Sequence, residues 1–234
     1  QSAQSSSNTH HHGEAGERGK VRSSTDPWPT AFYIGMPKAG STSLFKLLLE
    51  HPDVCPPHVP FQPRKIEKEP SFFEKEREYA KGIEHYLDHF RDSPKCKGRA
   101  EGKGKAVFFD GSTRYMHKTW VPARIKTDFP ETLHKKLRFV CILREPIQRD
   151  RSWRGQVYRN RKQELTDQVY LADLRTRVKE NKQKNGWSDL EYGEYDTLLR
   201  AWWKHFDRKQ FLVLSYETML ANETDSLRRV VEFL

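Results

Sequence analysis

The stretch at residues 34–44, which reads IGMPKAGSTSL, constrains the fold of this chain more than any other. The apolar residues 31–34 predict a buried strand, and residues 41–51 predict a helix. Between them, two glycines bracket a short loop. Such a loop directs backbone N–H groups and the positive end of the helix at one point, where Lys38 adds a full charge. The arrangement is typical of a phosphate-binding loop.

The loop differs from the ATP- and GTP-binding loop, whose pattern is G-x-x-x-x-G-K-[ST]. Gly35 and Gly40 keep the glycine spacing, but Ser41 stands where the lysine should be and the lysine has moved back to position 38. We therefore expect a phosphate loop built for a different donor, with Lys38 and the N–H groups of residues 40–43 as ligands. The simpler alternative is a plain strand, turn and helix in which a serine caps the helix.

The chain has 234 residues, enough for one α/β domain with a core, and its 42 basic and 32 acidic residues give a net charge of +10. This charge favours a polyanionic partner, namely nucleic acid, an acidic polysaccharide or a membrane surface, although a merely soluble basic surface would also have it. Residues 1–26 are predicted to be a disordered stem or tag-derived arm, and residues 27–234 the folded domain. We expect no membrane-crossing segment, because no apolar run approaches about 20 residues.

The three cysteines give little guidance. Cys141 lies in an apolar stretch and is expected in the core. Cys55 and Cys96 could form a disulfide, but the sequence alone does not decide it. Their spacing is not that of a metal site.

Strands alternate with helices along the rest of the chain. Further strands are predicted at residues 106–110, 138–143 and 211–214. Helices are predicted at residues 83–90, 120–129, 167–184, 192–206 and 227–234, and another is predicted to begin at residue 146. Residues 55–66 are predicted to form a proline-rich loop. The alternation predicts an α/β fold, a P-loop-like three-layer domain with a central parallel sheet flanked by helices. Because ligands of such sheets bind at the carboxyl ends of the strands, the Lys38 loop and the polar residues 110–113 and 144–152 should meet in one crevice.

A second cluster follows the strand at residues 138–143. Arg144 lies at the strand end, where a guanidinium can bind a phosphate with two hydrogen bonds, and Ser152 lies about two turns into the next helix. The alternative is that Arg144 pairs with Glu145 or another carboxylate and that Ser152 is a surface residue. Together with the Lys38 loop, the cluster implies a ligand with two separated phosphate groups.

With both clusters in place, the sequence resembles the sulfotransferases that use 3′-phosphoadenosine 5′-phosphosulfate (PAPS). The resemblance covers about residues 30–234, including the late segment at residues 192–217. It implies that the loop at residues 37–43 binds the 5′-phosphosulfate and that residues 143–152 bind the 3′-phosphate. The donor-binding residues that it implies are Lys38, Ala39, Gly40, Ser41, Thr42, Ser43, Arg144 and Ser152.

The branch implied by the resemblance is that of the Golgi enzymes that sulfate polysaccharides. Short segments at residues 68–70, 110–112 and 206–212 are most similar to N-acetylgalactosamine 4-sulfate 6-O-sulfotransferase, which suggests a glycosaminoglycan acceptor such as chondroitin or dermatan sulfate. The sequence departs from the family in two places. Arg154 stands where an aromatic residue is common, and the family continues beyond the position of Leu234 with another basic loop over the nucleotide.

The resemblance also implies a mechanism. Sulfuryl transfer proceeds by in-line attack of a hydroxyl group, so a base must take its proton, and Glu69 matches the carboxylate that serves in related enzymes. Lys38 would stabilise the transferring group, and no metal is expected. The expected acceptor-binding residues are Lys68, Asp110 and Ser112. Two alternatives stay open: Glu69 could be a loop residue paired with Lys65 or Lys68, and Asp110 could only cap a turn.

The expected partner is an anionic polysaccharide, with no nucleic acid and no membrane contact by this domain itself. The expected location is the Golgi lumen, as the catalytic domain of a type II membrane protein whose anchor is absent from this sequence; the glycosylation sequon at Asn222 is compatible with it. Residues 95–105 could form a basic track for the polysaccharide together with Arg151, Arg154, Arg159, Arg161 and Lys162; the alternative, favoured for any single residue, is a solvated helix face. The competing functions are a P-loop nucleotide kinase or NTPase, and a non-catalytic polyanion-binding domain on the same scaffold.

Overall fold

A computed structural model describes residues 26–58, 69–91, 93–96, 106–183 and 190–234. Within these ranges, the strands are β1 (Ala31–Gly35), β2 (Val54–Cys55), β3 (Val107–Asp110), β4 (Arg138–Leu143) and β5 (Phe211–Ser215). They form a sheet in the order β2-β3-β1-β4-β5, in which every neighbouring pair is parallel.

Helices flank this sheet. The α-helices of the described residues are α1 (Ser41–Glu50), α2 (Glu76–Tyr79), α3 (Ile83–Arg91), α4 (Val121–Asp128), α5 (Glu131–His134), α6 (Pro146–Asn160), α7 (Asp167–Gln183), α8 (Tyr195–Trp203), α9 (Tyr216–Ala221) and α10 (Glu223–Phe233). Short 3-10 turns lie at Pro94–Cys96, Glu191–Gly193 and Arg208–Gln210. The predicted α/β class, a parallel sheet flanked by helices, is confirmed.

The core is built around the two central strands. Every residue of β1 is buried, and four of the six residues of β4 are buried, as expected for parallel strands that are covered on both faces. Phe32 of β1 lies opposite Phe139 of β4, and their rings pack 5.6 Å apart. The Phe139 ring also contacts Trp202 and Phe206, which bury α8 and the turn after it against the sheet. Apolar burial of this kind is the main stabilising term.

The strand order places the functional residues. β1 lies between β3 and β4, so the chain crosses to one side of β1 for β2 and β3 and to the other side for β4 and β5. The crevice at such a switch point opens at the carboxyl ends of the strands. The loops that follow β1, β3 and β4 therefore lie side by side.

The differences from the sequence prediction concern short elements. β2 has two residues and stands where only a loop was predicted, and α2, α5 and α9 have four, four and six residues. The predicted helix at residues 192–206 is shorter, since Tyr192 lies in a 3-10 turn and α8 begins at Tyr195. Elements this short do not complete a hydrophobic period, so periodicity cannot detect them.

The cysteine question is resolved by the structure. Cys55 and Cys96 form a disulfide with a Cα–Cα distance of 5.7 Å, which ties the edge strand β2 to the turn after α3. Cys141 is free and buried in β4. The predicted arm at residues 1–26, except its last residue, lies outside the described residues, as do Lys68 and residues 97–105. None of the described helices is long and apolar enough to cross a membrane.

Candidate active site

The loop between β1 and α1 depends on a glycine. Gly40 is the N-cap of α1 and has a φ of 81°, a left-handed conformation that favours glycine. A Cβ atom on Gly40 would lie 2.5 Å from Cε of Met219 and 3.0 Å from the ring of Tyr216. No side chain caps α1, so the alternative of a serine-capped helix is wrong. Among the described residues, no side chain therefore takes up the first N–H groups of α1, which can donate to an anion.

The hydroxyl-bearing residues of this loop have different environments. Ser41 is buried, and its side chain forms a hydrogen bond with the Tyr33 hydroxyl group. Burial raises the pKa of Tyr33, and the hydrogen bond from Ser41 partly offsets this increase. Thr42 and Ser43 are exposed in the first turn of α1. Ala39 is fully buried beneath the loop. Ser41 therefore anchors the loop, while Thr42 and Ser43 are accessible to an anion.

Three cations converge beside the loop. Arg144 donates from Nη1 to the Lys38 carbonyl oxygen over 3.2 Å, and its guanidinium lies 4.6 Å from the centre of the Tyr216 ring. Burial lowers the pKa of Lys38, and the positive charges of Arg159 and Arg144 lower it further. Nε of Arg144 is buried and has no hydrogen-bond partner among the described residues. Cations that repel each other in this way are stabilised by a bound anion.

A cavity of about 590 Å³ continues from Arg144 along the first turns of α6. Its lining residues are Arg144, Gln148, Arg151, Ser152, Gly155, Arg159, Gln163, Glu164 and Leu165. Glu145 does not neutralise Arg144; instead its carboxylate caps α6 by accepting from the N–H groups of Ile147 and Gln148. Arg144 and Ser152 thus share one cavity, as predicted. Arg159 was assigned only to a surface track, and the one-sided spacing of Ser152, Gly155 and Arg159 on α6 is the signal that could have found it.

Glu69 lies on the other side of the loop. It is half-buried, and Thr113 after β3 donates a hydrogen bond to its Oε2 over 3.2 Å. Its charge is close enough to Tyr33 to contribute to the raised pKa of that hydroxyl group. Lys65 and Lys68, the alternative partners, lie outside the described residues. The carboxylate is therefore held beside the loop by a neighbouring strand end.

The expectation that Asp110 and Ser112 contact the acceptor is wrong for this structure, because both side chains are fully buried. The Asp110 carboxylate accepts from the hydroxyl groups of Tyr86 and Tyr115 over 2.8 and 2.9 Å, and it caps its turn by accepting from the Ser112 N–H group. Burial raises the pKa of Asp110 to about 6. Both residues are structural: Ser112 Oγ accepts from the backbone N–H of Ser71 and so helps to fix the segment that follows Glu69.

A smaller cavity of about 40 Å³ lies behind the loop. Its lining residues are Pro37, Arg114, His117, Arg149, Trp153 and Tyr192. The His117 ring packs 4.2 Å from the Tyr192 ring, and burial lowers the pKa of His117 to about 3, with a smaller effect from nearby cations. Sequence reasoning missed this cavity, because its walls come from the loops after β1 and β3, from α6 and from a 3-10 turn far along the chain.

Part of the predicted basic track is neutralised. Arg151 forms an ion pair with Asp167, and Arg154 forms one with Asp173, both on α7. Arg177 joins the two helices further, with its guanidinium 2.7 Å from Asp150 of α6. Among the described residues of this track, Arg159, Arg161 and Lys162 are exposed and have no ion pair.

The chain resembles known sulfotransferases in sequence. The mouse heparan sulfate glucosamine 3-O-sulfotransferase 3B1 is 27% identical over 210 residues, covering 88% of this chain and 46% of the relative. The human heparan sulfate glucosamine 3-O-sulfotransferase 3A1 is 28% identical over 206 residues, covering 88% and 44%. The mouse bifunctional heparan sulfate N-deacetylase/N-sulfotransferase 4 is 26% identical over 219 residues, covering 89% and 22%. The chain thus spans less than half the length of these relatives.

Structural comparison gives the same fold. A solved sulfotransferase from Alicyclobacillus acidocaldarius superposes with a TM-score of 0.63 at 21% sequence identity, covering 88% of this chain and 80% of that one. A family profile described as "Sulfotransferase domain" matches residues 29–234. Because this match includes both the Lys38 loop and the Arg144 cluster, the chain belongs to the sulfotransferase family.

Proposed function

We propose that this protein transfers a sulfuryl group from PAPS to a hydroxyl group of an anionic polysaccharide. The observation that carries the proposal is the contact between Arg144 and the Lys38 carbonyl group, which brings the two predicted anion sites together at the ends of β1 and β4. Burial and the charges of Arg159 and Arg144 lower the pKa of Lys38, and a bound anion would offset this repulsion. A donor with two separated phosphate groups fits this pair of sites.

The residues present fit PAPS. Gly40 has no room for a Cβ atom, and Nε of Arg144 is buried without a hydrogen-bond partner among the described residues. Residues 38–43 would hold the 5′ end of the donor, and Arg144, Ser152 and Arg159 would hold its 3′-phosphate. When bound, PAPS supplies the sulfuryl group.

Glu69 is the proposed base. Thr113 fixes its carboxylate beside the donor loop, where it can accept the proton of an incoming hydroxyl group. Lys38 is on the same loop and would offset the negative charge that develops at the transferring group. Positioned donors and charges suffice for in-line transfer of this kind, so the chain's own side chains account for the chemistry without a metal ligand set. No group of three or more metal-ligating side chains occurs in the described part of the chain.

The proposed acceptor is a glycosaminoglycan. The net charge of +10 and the exposed cations Arg159, Arg161 and Lys162 favour a polyanion. The names of the relatives favour heparan sulfate over chondroitin or dermatan sulfate. The Cys55–Cys96 disulfide and the sequon at Asn222 support the oxidising lumen of the secretory pathway, and we place the protein in the Golgi.

Calorimetric binding of 3′-phosphoadenosine 5′-phosphate (PAP), the product left by PAPS, tests the donor site. We expect PAP to bind far more tightly than Mg-ATP, and Lys38→Ala and Arg144→Ala each to weaken PAP roughly 10- to 100-fold, the value of a charged hydrogen bond. Arg228→Ala on α10 is the matched control, because it removes an exposed, ion-paired arginine elsewhere. If the protein bound Mg-ATP more tightly than PAP, the result would support the competing hypothesis of a P-loop nucleotide kinase or NTPase.

Transfer of radiolabelled sulfate from PAPS to heparan sulfate or chondroitin tests the activity and the acceptor together. Glu69→Gln should reduce kcat roughly 100- to 10,000-fold while PAP binding is unchanged. If wild-type protein binds PAP and heparan sulfate but transfers no sulfate to any polysaccharide, the result supports the alternative of a non-catalytic polyanion-binding domain.

A further inference from the structure

The small cavity behind the donor loop contains polar groups that the proposed transfer step does not use. Both ring nitrogens of His117 are buried and have no hydrogen-bond partner among the described residues, and the same holds for Nε of Arg149. His117 is 6% exposed and Arg149 is 2% exposed. Leaving buried polar groups unpaired costs about 1–3 kcal/mol each. Such groups normally mark a site for a water molecule or a ligand.

The charge of the cavity favours an anion. Arg149 is a buried cation, and Arg114 contributes a second guanidinium that is 45% exposed. Nε of Arg114 lies 3.6 Å from the buried Glu74 carboxylate, which balances part of its charge, so the buried Arg149 is the cation that most favours an anion here. His117 stays neutral near pH 7, because burial lowers its pKa to about 3, so it offers one N–H donor and one acceptor.

The cavity has walls suited to a sugar. Tyr192 packs against His117, and Trp153 is a second half-buried aromatic wall. A volume of about 40 Å³ is room for about three oxygen-sized atoms at roughly 10–15 Å³ each, which matches the three terminal oxygens of a sulfate ester or the two oxygens of a carboxylate with a bound water. The cavity's lining includes Pro37 of the donor loop and Arg114, and Arg114 directly follows Thr113, which holds Glu69.

We propose that the cavity lined by Arg114, His117 and Arg149 binds an anionic substituent of the acceptor, either a uronic acid carboxylate or a sulfate ester. This inference rests on the proposed function, since it assigns part of the acceptor's recognition to a site beside the donor loop. It makes the protein selective for chains that carry a negative group near the hydroxyl group to be sulfated.

Binding of heparan sulfate oligosaccharides to PAP-saturated protein, measured by calorimetry, tests the proposal without requiring turnover. Three forms of the oligosaccharide are compared: native, carboxyl-reduced and O-desulfated. We expect Arg114→Ala and His117→Phe to weaken the native form roughly 10-fold. The control Arg200→Ala removes one exposed, ion-paired charge from α8 and should change the Kd less than twofold.

The modified chains identify the recognised group. If the cavity binds the carboxylate, wild type and both variants should bind the carboxyl-reduced form equally; if it binds the sulfate, they should bind the O-desulfated form equally. Unchanged Kd values for native chains, or equal losses for all three forms, would overturn the proposal and leave the cavity to solvent. PAP affinity separates the two hypotheses: intact PAP binding with no cavity effect refutes only this inference, whereas absent PAP binding in wild type refutes the proposed function.

Discussion

The buried carboxyl group of Asp110 should make the stability of this protein depend on pH in an unusual direction. The group is fully buried at the end of β3, where two tyrosine hydroxyl groups, the Ser112 hydroxyl group and the Ser112 N–H group donate to it. Burial nevertheless dominates and raises its pKa from 3.8 to about 6. Between these values, the folded protein keeps a proton that the unfolded chain has already released. The stability contributed by this group is therefore complete below about pH 4 and is lost as the pH rises through about 6.

The size of the effect follows from the two pKa values. The gap between 3.8 and about 6 corresponds to about 3 kcal/mol of unfolding free energy. Asp110→Asn keeps the shape and an acceptor oxygen but cannot titrate. The free energy of unfolding of wild type minus that of Asp110→Asn should therefore fall by about 3 kcal/mol from about pH 3 to about pH 7, and it should be constant above that range.

Urea denaturation of both proteins across this pH range measures the difference directly. Asp196→Asn on the exposed face of α8 is the control and should give a much smaller change, because its side chain is 69% exposed. A constant difference between wild type and Asp110→Asn would refute the reasoning. A difference that rises with pH would mean that the hydrogen-bond donors outweigh burial and hold the Asp110 carboxylate ionised.

Three further predictions concern the loop, the donor cavity and the disulfide. Gly40→Ala should weaken PAP roughly 5- to 30-fold in calorimetry, since an alanine at positive φ costs about 1–2 kcal/mol, while Gly82→Ala, at a φ of 83° with open space around it, should leave PAP binding intact. Arg159→Ala should weaken PAP binding and shift the pKa of Lys38 back toward 10.5, a shift that NMR of labelled lysine would detect. An unchanged pKa of Lys38 would contradict the inferred cluster of positive charge. Cys96→Ala opens a loop with a sequence separation of 41 and should lower the free energy of unfolding by about 4 kcal/mol in urea, whereas an unchanged midpoint would show that the bond is not formed in solution.

The sequence predicted the parts of the site that lie within one strand–loop–helix unit. The Lys38 loop and the pair of Arg144 and Ser152 each occupy a short stretch, so spacing alone brought out their anion-binding chemistry. Asp110 was misassigned because a polar residue after a strand has the same pattern whether it faces the crevice or the core. Only the tertiary contacts with Tyr86 and Tyr115 distinguish the two cases.

Features that depend on distant segments could not be predicted. The His117 cavity joins residues from four separate stretches of chain, and the neutralisation of Arg151 and Arg154 requires the register of α7 against α6. Charge counted along the sequence therefore overstated the basic surface that a polyanion can contact. The two-residue strand β2 was missed because its identity depends on pairing with β3 rather than on its own residues.

The pairing of β1 with β4 has a consequence for ligand choice. Residues 31–33 lie opposite residues 138–140, and this register fixes how far the Lys38 loop stands from the first turn of α6. Under the proposed function, the sheet therefore sets the distance between the two anionic groups of the donor. A nucleotide with a single phosphate, or with its phosphates in one continuous chain, would occupy one of the two anion sites and leave the other site unoccupied, whatever base it carried.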